Sequence, residues 1–197
     1  MLISGRGSNL QALIDAQARG ELGGGELALV FSNVVAAPGL ERARRAGIPV
    51  EIRDHRGRAR EAFDAELVGI LRGHGVELVC LAGYMRLLSP GLVHAFPGRN
   101  LNVHPALLPS FTGRNAQRQA LEHGVKVSGA TVHVVDENLD AGPILAQEAV
   151  DVLEDDTEET LAARILEAEH RIYPRAVRAM LQGRVRIAGR RARVEGV

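Results

Sequence analysis

Leu101-Asn102-Val103-His104-Pro105-Ala106-Leu107-Leu108-Pro109 is the stretch that decides how this chain is read. Strand alternation places Asn102 and His104 on one face and Leu101 and Val103 on the other, toward a core. Pro105 withdraws a backbone donor and ends the strand, and Pro109 stiffens the loop beyond it. An amide donor and a titratable imidazole therefore stand side by side at the mouth of a sheet. Acyl transfer uses such a pair: one group donates to a developing oxyanion and the other moves a proton.

Outward from this strand, short apolar runs alternate with amphipathic segments, the pattern of an α/β fold with a largely parallel sheet. Leu2-Ile3 reads as the stub of a first strand. Further strands are expected at 26–31, 49–52, 77–82, 100–104, 127–135 and 144–150. Leu10, Leu13, Ile14 and Ala18 form one helical stripe, and Phe63, Leu67, Ile70 and Leu71 another. A long helix is expected to start at Asp156 or Thr157, and with Asp156 as cap Glu159 completes a capping box. Glu158 and Glu159 suit its positive end, Arg175 and Arg178 its negative end. No linker or internal repeat interrupts the chain, so residues 1–197 are expected to form one domain, with a hairpin or tail over 184–197 where Arg alternates with Val, Ile and Ala. That tail is read as solvated charge rather than as a nucleic-acid patch.

Composition narrows the function. Lys and Arg balance Asp and Glu, 24 against 24, so no global field favours nucleic acid or a membrane surface. The basic side chains are nearly all Arg, with Lys126 the single lysine, which reads as compositional bias. One cysteine, Cys80, excludes an internal disulfide. In the apolar run Leu78-Val79-Cys80-Leu81-Ala82 it reads as buried packing. No stretch approaches a membrane span and the start has no signal-peptide pattern, so the expected location is the cytoplasm.

Gly5-Arg6-Gly7-Ser8-Asn9 follows the first strand and opens the first helix. Glycines let the backbone approach a ligand, and the free N–H groups of a helix start attract an anion. Ser8 and Asn9 either cap the helix or bind phosphate. The lysine of a P-loop is absent. The dinucleotide fingerprint lacks its third glycine, since Leu10 follows Asn9, and its acidic residue is replaced by Ser32-Asn33. A small phosphate ester fits better than NAD; a plain capped turn is the alternative.

Asp136-Glu137-Asn138-Leu139-Asp140-Ala141-Gly142-Pro143 is a turn-rich loop between two expected strands. Asp140 beside His104 would orient the imidazole and favour its charged form. Spacing alone leaves Asp140 equally readable as a turn former. His133, with Thr131 on the same strand face, reads as a hydrogen-bonded structural residue. A metal site from His104, His133 and Asp140 is conceivable, but these residues have no diagnostic ligand spacing. The other histidines carry no separate signal.

Together these motifs resemble the phosphoribosylglycinamide formyltransferases, folate-dependent enzymes of purine synthesis. The resemblance runs from Ile3 to about Leu181. It rests on Ser4-Gly5-Arg6-Gly7-Ser8-Asn9-Leu10, Ala82-Gly83-Tyr84-Met85-Arg86-Leu87-Leu88-Ser89-Pro90, Asn102 to Pro109, Asp136 to Pro143 and Glu169-His170-Arg171-Ile172-Tyr173-Pro174, in that order. It implies a Rossmann-like, mostly parallel twisted sheet with flanking helices. The implied reaction moves a formyl group from 10-formyltetrahydrofolate to the amine of glycinamide ribonucleotide. Asn102, His104 and Asp140 align with the catalytic trio of that family. Gly7, Ser8, Asn9 and Glu169 fall where it holds the ribonucleotide. Arg60, Met85, Arg86, Leu87 and Leu88, with Asn102, fall where it binds the folate. The resemblance implies no metal, small-molecule partners only, and a monomer or weak homodimer.

Two departures stand out. The first strand is shorter than in the family, as if residues before Met1 were missing, which would weaken an edge of the sheet and the adjoining turn. Thr112 stands where the family often has Pro and Asn115 where it often has His, which bears on the rigidity of that loop. Rival readings are a formyltetrahydrofolate hydrolase, with water as acceptor, and a methionyl-tRNA formyltransferase, which carries a further domain. A non-catalytic binder of phosphorylated metabolites would leave Asn102, His104 and Asp140 unexplained.

Overall fold

β1 (Leu2–Ile3) is two residues long, yet it is not an edge: it pairs in parallel with β2 (Val30–Ser32) on one side and β4 (Val79–Leu81) on the other. The structure, a computed structural model, describes residues 1–195. β3 (Val50–Ile52) extends the parallel sheet beyond β2, and β5 (Asn100–His104) extends it beyond β4. There the direction changes. β6 (Val127–Val134) runs antiparallel to β5, and β7 (Ile144–Asp151) antiparallel to β6. β8 (Val185–Ala188) and β9 (Arg191–Val194) form the expected terminal hairpin, which joins the sheet where Arg191 faces Ile144. Residues 196 and 197 of the expected tail lie outside the described residues. Among the described residues the nine strands follow the order β3-β2-β1-β4-β5-β6-β7-β9-β8.

Among the described residues six helices flank this sheet. α1 (Ser8–Ala18), α2 (Gly39–Arg45), α5 (Ala116–Glu122) and α6 (Glu158–Leu181) bury Leu10, Leu40, Ala120 and Ile165 in one core with Ile3, Val30, Cys80, Leu101 and Val103. α3 (Arg60–Gly73) and α4 (Pro90–Ala95) cover the opposite face with Phe63, Leu67, Leu71, Leu92 and Phe96, against Leu2, Phe31, Val79 and Leu81. Alternation in the parallel strands thus feeds two cores, which is why they read as continuous apolar runs.

The expected elements need three corrections. Residues 26–29 are not strand, because the backbone of Leu27 donates to Gln17 Oε1 at 2.6 Å instead of to a neighbouring strand. The α1 stripe closes with buried Ala16, while Ala18 is exposed. The cap of α6 is Thr157, and its box partner is Thr160 rather than Glu159: each hydroxyl accepts from the other residue's backbone N–H. Asp156 instead receives two hydrogen bonds from Arg164, at 2.7 and 2.9 Å, and that guanidinium holds its carboxyl well below the usual range.

Tyr173, fully buried on α6, donates from its hydroxyl toward the carbonyls of Leu81 at 2.8 Å and Leu101 at 3.3 Å. The long helix is thereby pinned to the two strands that precede the site. Cys80 is buried beside it, and burial pushes its thiol up, away from the reactive thiolate.

Candidate active site

The chain leaves β1 toward β2 on one side and later returns to build β4 and β5 on the other. Such a reversal opens a crevice at the carboxyl ends of the strands. The turn after β1, the loop after β4 and the loop after β5 all lie at that end. One hydroxyl joins the first two: Ser4 Oγ accepts from Met85 N at 2.8 Å and donates to Asn33 Oδ1 at 2.6 Å, beyond β2.

Register places the candidate side chains. Asn102 is opposite Leu81 and so belongs to the sheet face that carries α3 and α4, while its neighbours Leu101 and Val103 enter the other core. Across the antiparallel step Asn102 pairs with His133, and His104 with Thr131. Directly paired residues hold their Cβ atoms about 4.5–5.5 Å apart, so four polar side chains form one patch.

Asp140, with left-handed φ of 50°, turns back over this patch. Its Oδ2 lies 3.6 Å from His104 Nδ1 and its Oδ1 lies 3.7 Å from His133 Nε2. The backbone N–H of Gly113 donates to Oδ2 at 2.7 Å, so the loop after β5 and the loop before β7 fasten to each other. On the far side of its ring, His104 Nε2 donates to the carbonyl of Phe111 at 2.8 Å. The imidazole is thus held between a carbonyl and a carboxylate and is nearly removed from solvent. Asn102 Nδ2 lies 3.3 Å from His133 Nε2. The loop that carries Thr112 and Asn115 is well tied: Gln119 Nε2 donates to the carbonyls of Thr112 and Arg114, and Asn115 adopts the left-handed conformation that Asn tolerates. Thr131 Oγ1 accepts from Leu108 N at 3.0 Å and donates to Ala106 O at 2.7 Å, which fixes the segment after His104.

The turn after β1 differs from one sequence expectation. The cap of α1 is Gly7, not Ser8 or Asn9, and no side chain caps the helix. Gly7 takes a φ of 70°, and a Cβ there would stand 2.8 Å from Gly39 Cα at the start of α2. Only glycine fits on both counts. The first N–H groups of α1 are consequently left without a side-chain acceptor, an arrangement suited to an anion. Asn9 reaches across to α6, where its amide donates to Glu169 Oε2 at 2.6 Å. Burial raises the Glu169 carboxyl to about 7, against the lowering effect of that bond. Gly7, Ser8, Asn9 and Glu169 thus come together although 160 residues separate Asn9 from Glu169.

The expected folate residues are brought together less completely. Met85 and Leu87 are 67% and 56% exposed, an apolar surface on the crevice loop with nothing packed over it. Arg86 lies over the Phe63 ring at 4.7 Å and Arg58 over the same ring at 5.1 Å. Leu88 packs against the α3/α4 core. Arg60 opens α3 with its guanidinium on the adjacent Glu61, a carboxylate that Arg86 also acts on. Sequence reasoning read Phe63 only as part of a helical stripe and gave no place at the site to Phe111 or Gly113. Period-two pairing of Thr131 and His133 was the signal that could have found the patch. Among the described residues no group of three His, Cys, Asp or Glu side chains is arranged to hold a metal ion. No helix of the described residues is long and apolar enough to cross a membrane.

Known proteins share this architecture and sequence. The formyl transferase family matches residues 1–177. The chain is 43% identical to phosphoribosylglycinamide formyltransferase of Escherichia coli (strain K12), an alignment covering 100% of this chain and 92% of that protein. It is 49% identical to the trifunctional purine biosynthetic protein adenosine-3 of Chironomus tentans across 95% of this chain, but spans only 14% of that protein. The crystal structure of glycinamide ribonucleotide transformylase 1 from Symbiobacterium toebii superposes with a TM-score of 0.95 at 55% identity, covering 98% of this chain and 91% of that one. With its mostly parallel sheet, flanking helices and crevice accounted for by that likeness, the chain belongs to the formyl transferase family, among the phosphoribosylglycinamide formyltransferases.

Proposed function

We propose that this chain moves the formyl group of 10-formyltetrahydrofolate directly to the amine of glycinamide ribonucleotide. The observation that supports the reading is the meeting of Asn102, His104 and Asp140 in one patch, in a fold whose first helix also starts uncapped beside the buried Glu169 carboxylate. The open N–H groups of Ser8 and Asn9, after Gly7, take the phosphate, and Glu169 takes a polar group of the ribonucleotide. The apolar faces of Met85 and Leu87, with Leu88 beneath, suit a flat pterin, and Arg86 and Arg60 suit its carboxylate tail.

The neutral amine attacks the formyl carbon, and a new C–N bond forms as the carbonyl oxygen gathers negative charge. Asn102 donates an N–H to that oxygen, a contribution of roughly 3–4 kcal/mol to the barrier for one such donor. His104, flanked by Asp140, stands beside the same oxygen and assists the movement of the proton. The bond from carbon to the folate nitrogen then breaks, and the proton lost by the amine ends on that nitrogen. Assisted proton movement of this kind is worth about 10²–10⁴ in rate. These residues require neither a covalent enzyme intermediate nor a metal ion. Small molecules are the partners in this reading, with the cytoplasm as location and a monomer or weak homodimer as working unit.

Mixing the protein with 10-formyltetrahydrofolate, with and without glycinamide ribonucleotide, and following tetrahydrofolate by absorbance tests the proposal. Turnover is expected only when the ribonucleotide is present. Formate release without it would replace the transferase by a hydrolase.

A further inference from the structure

His133 is the titratable group in the patch that the reaction above does not use. It is 2% exposed and lies opposite Asn102 on the neighbouring antiparallel strand, beside a register shift between Val132 and His133. Its Nδ1 is 3.1 Å from the carbonyl of Val134. A carbonyl only accepts, so Nδ1 carries the proton. In the neutral ring Nε2 then has a free lone pair, and the group facing it at 3.3 Å is Asn102 Nδ2. An amide nitrogen there donates, whereas a flipped amide would set two acceptors against each other. The tautomer of His133 therefore determines which way the Asn102 amide faces, and it occupies one of the two Asn102 N–H groups.

We propose that His133 is a positioning residue that aims the remaining N–H of Asn102 at the oxygen of the reacting formyl group. The proposal rests on the formyl-transfer reading and deepens it. A donor pays back in the transition state only if it is already aimed where charge develops. Asn102 on an open strand face, without a partner, would sample both amide orientations, and one of them presents an acceptor to the oxyanion. The groups acting on His133 are Asp140 and Asp136 on the following loop and His104 on the adjacent strand, while β7 brings uncharged Ile144 opposite it. Burial favours the neutral ring over these carboxylates and holds its protonation below the ordinary histidine range. Protonation would turn Nε2 into a donor toward Asp140 Oδ1, 3.7 Å away, and Asn102 would lose its acceptor.

The experiment has two arms. In the first, nitrogen NMR of wild-type protein carrying labelled histidine reads the tautomer near neutral pH. A proton on Nδ1 and a bare Nε2 at His133 are expected; a proton on Nε2 overturns the proposal whatever the variants do. In the second, steady-state kinetics compare His133→Leu, which has no acceptor, with His133→Gln, whose side-chain oxygen replaces it. His133→Leu should lower kcat about 10²-fold, the scale of a misaimed group, and leave both KM values unchanged. His133→Gln should recover most of that loss and remove the acid limb that His133 adds to the kcat profile. In an Asn102→Ala background His133→Leu should cost nothing further. Losses that multiply, or that fall on KM, assign His133 a merely structural role and overturn the proposal. Inactivity of the wild-type protein would instead count against the formyl-transfer reading, and the tautomer would still decide the placement of Asn102.

Discussion

Asn102 has nearly the same shape as aspartate, which makes its chemistry separable from its packing. Asn102→Asp keeps the volume, replaces a donor by a charge and faces the lone pair of His133 Nε2. A kcat loss of about 10²–10³ is expected, with a melting temperature close to wild type. Near-normal turnover would remove Asn102 from the reaction. At this scale the sequence was informative where side chains share one strand face. Asn102 and His104 two apart could be read directly. The bond between Asn9 and Glu169 could not, because nothing in local spacing links two helices so distant along the chain. The second function of the loop carboxylate was hidden for the same reason: Asp140 also binds the N–H of Gly113.

At the scale of elements, two short features bear disproportionate weight. Gly7→Ala forces a Cβ into a left-handed residue and against Gly39 Cα, so α1 and α2 must part at their starts. The left-handed conformation alone costs about 1–2 kcal/mol for a non-glycine residue. The KM for the ribonucleotide should rise and chemical denaturation midpoints should fall, both read against wild type. A variant with normal KM would detach the turn from substrate binding. Thr157→Ala, in contrast, removes a cap whose hydrogen bonds stay within the start of α6. It should destabilise the chain by about 1 kcal/mol in urea titrations, with kcat unchanged. The strands were legible in existence and order because each is an apolar run between turn signals. Their limits were less so: residues 26–29 have strand composition, but Gln17 captures Leu27. Likewise the capping box was correctly located in the segment while its members were shifted by one residue, since three consecutive polar residues could each serve as cap.

Across the whole molecule, the buried carboxylate sets a pH signature. Glu169 is raised from 4.5 to about 7, so between those values the folded chain keeps a proton that the unfolded chain releases. Its contribution to stability is complete below the ordinary carboxylate value and is lost as pH rises through about 7. Glu169→Gln cannot titrate. Its stability relative to wild type should therefore increase from pH 4.5 to above 7, by about 3 kcal/mol in total. A flat difference in unfolding free energy over that window would show that Glu169 ionises normally. The topology was legible only in part. Alternating strands and helices announced a parallel sheet, but the antiparallel turn at β5 arises from tertiary pairing, and with it comes the placement of His133. The short first strand was read as a weakness at an edge, yet β1 is interior and its two residues are held from both sides.

That change of direction has a practical consequence. Asn102 and His133, like His104 and Thr131, are matched across a ladder of backbone hydrogen bonds, so their separation is independent of loop length. The groups proposed to hold the acceptor, Gly7 to Asn9 and Glu169, belong to other segments altogether. In the proposed reading, reaction centre and recognition are therefore modular. Exchanging the first turn and the facing part of α6 for those of a related chain should redirect the formyl group to a different nucleophile while the reactive ladder travels unchanged.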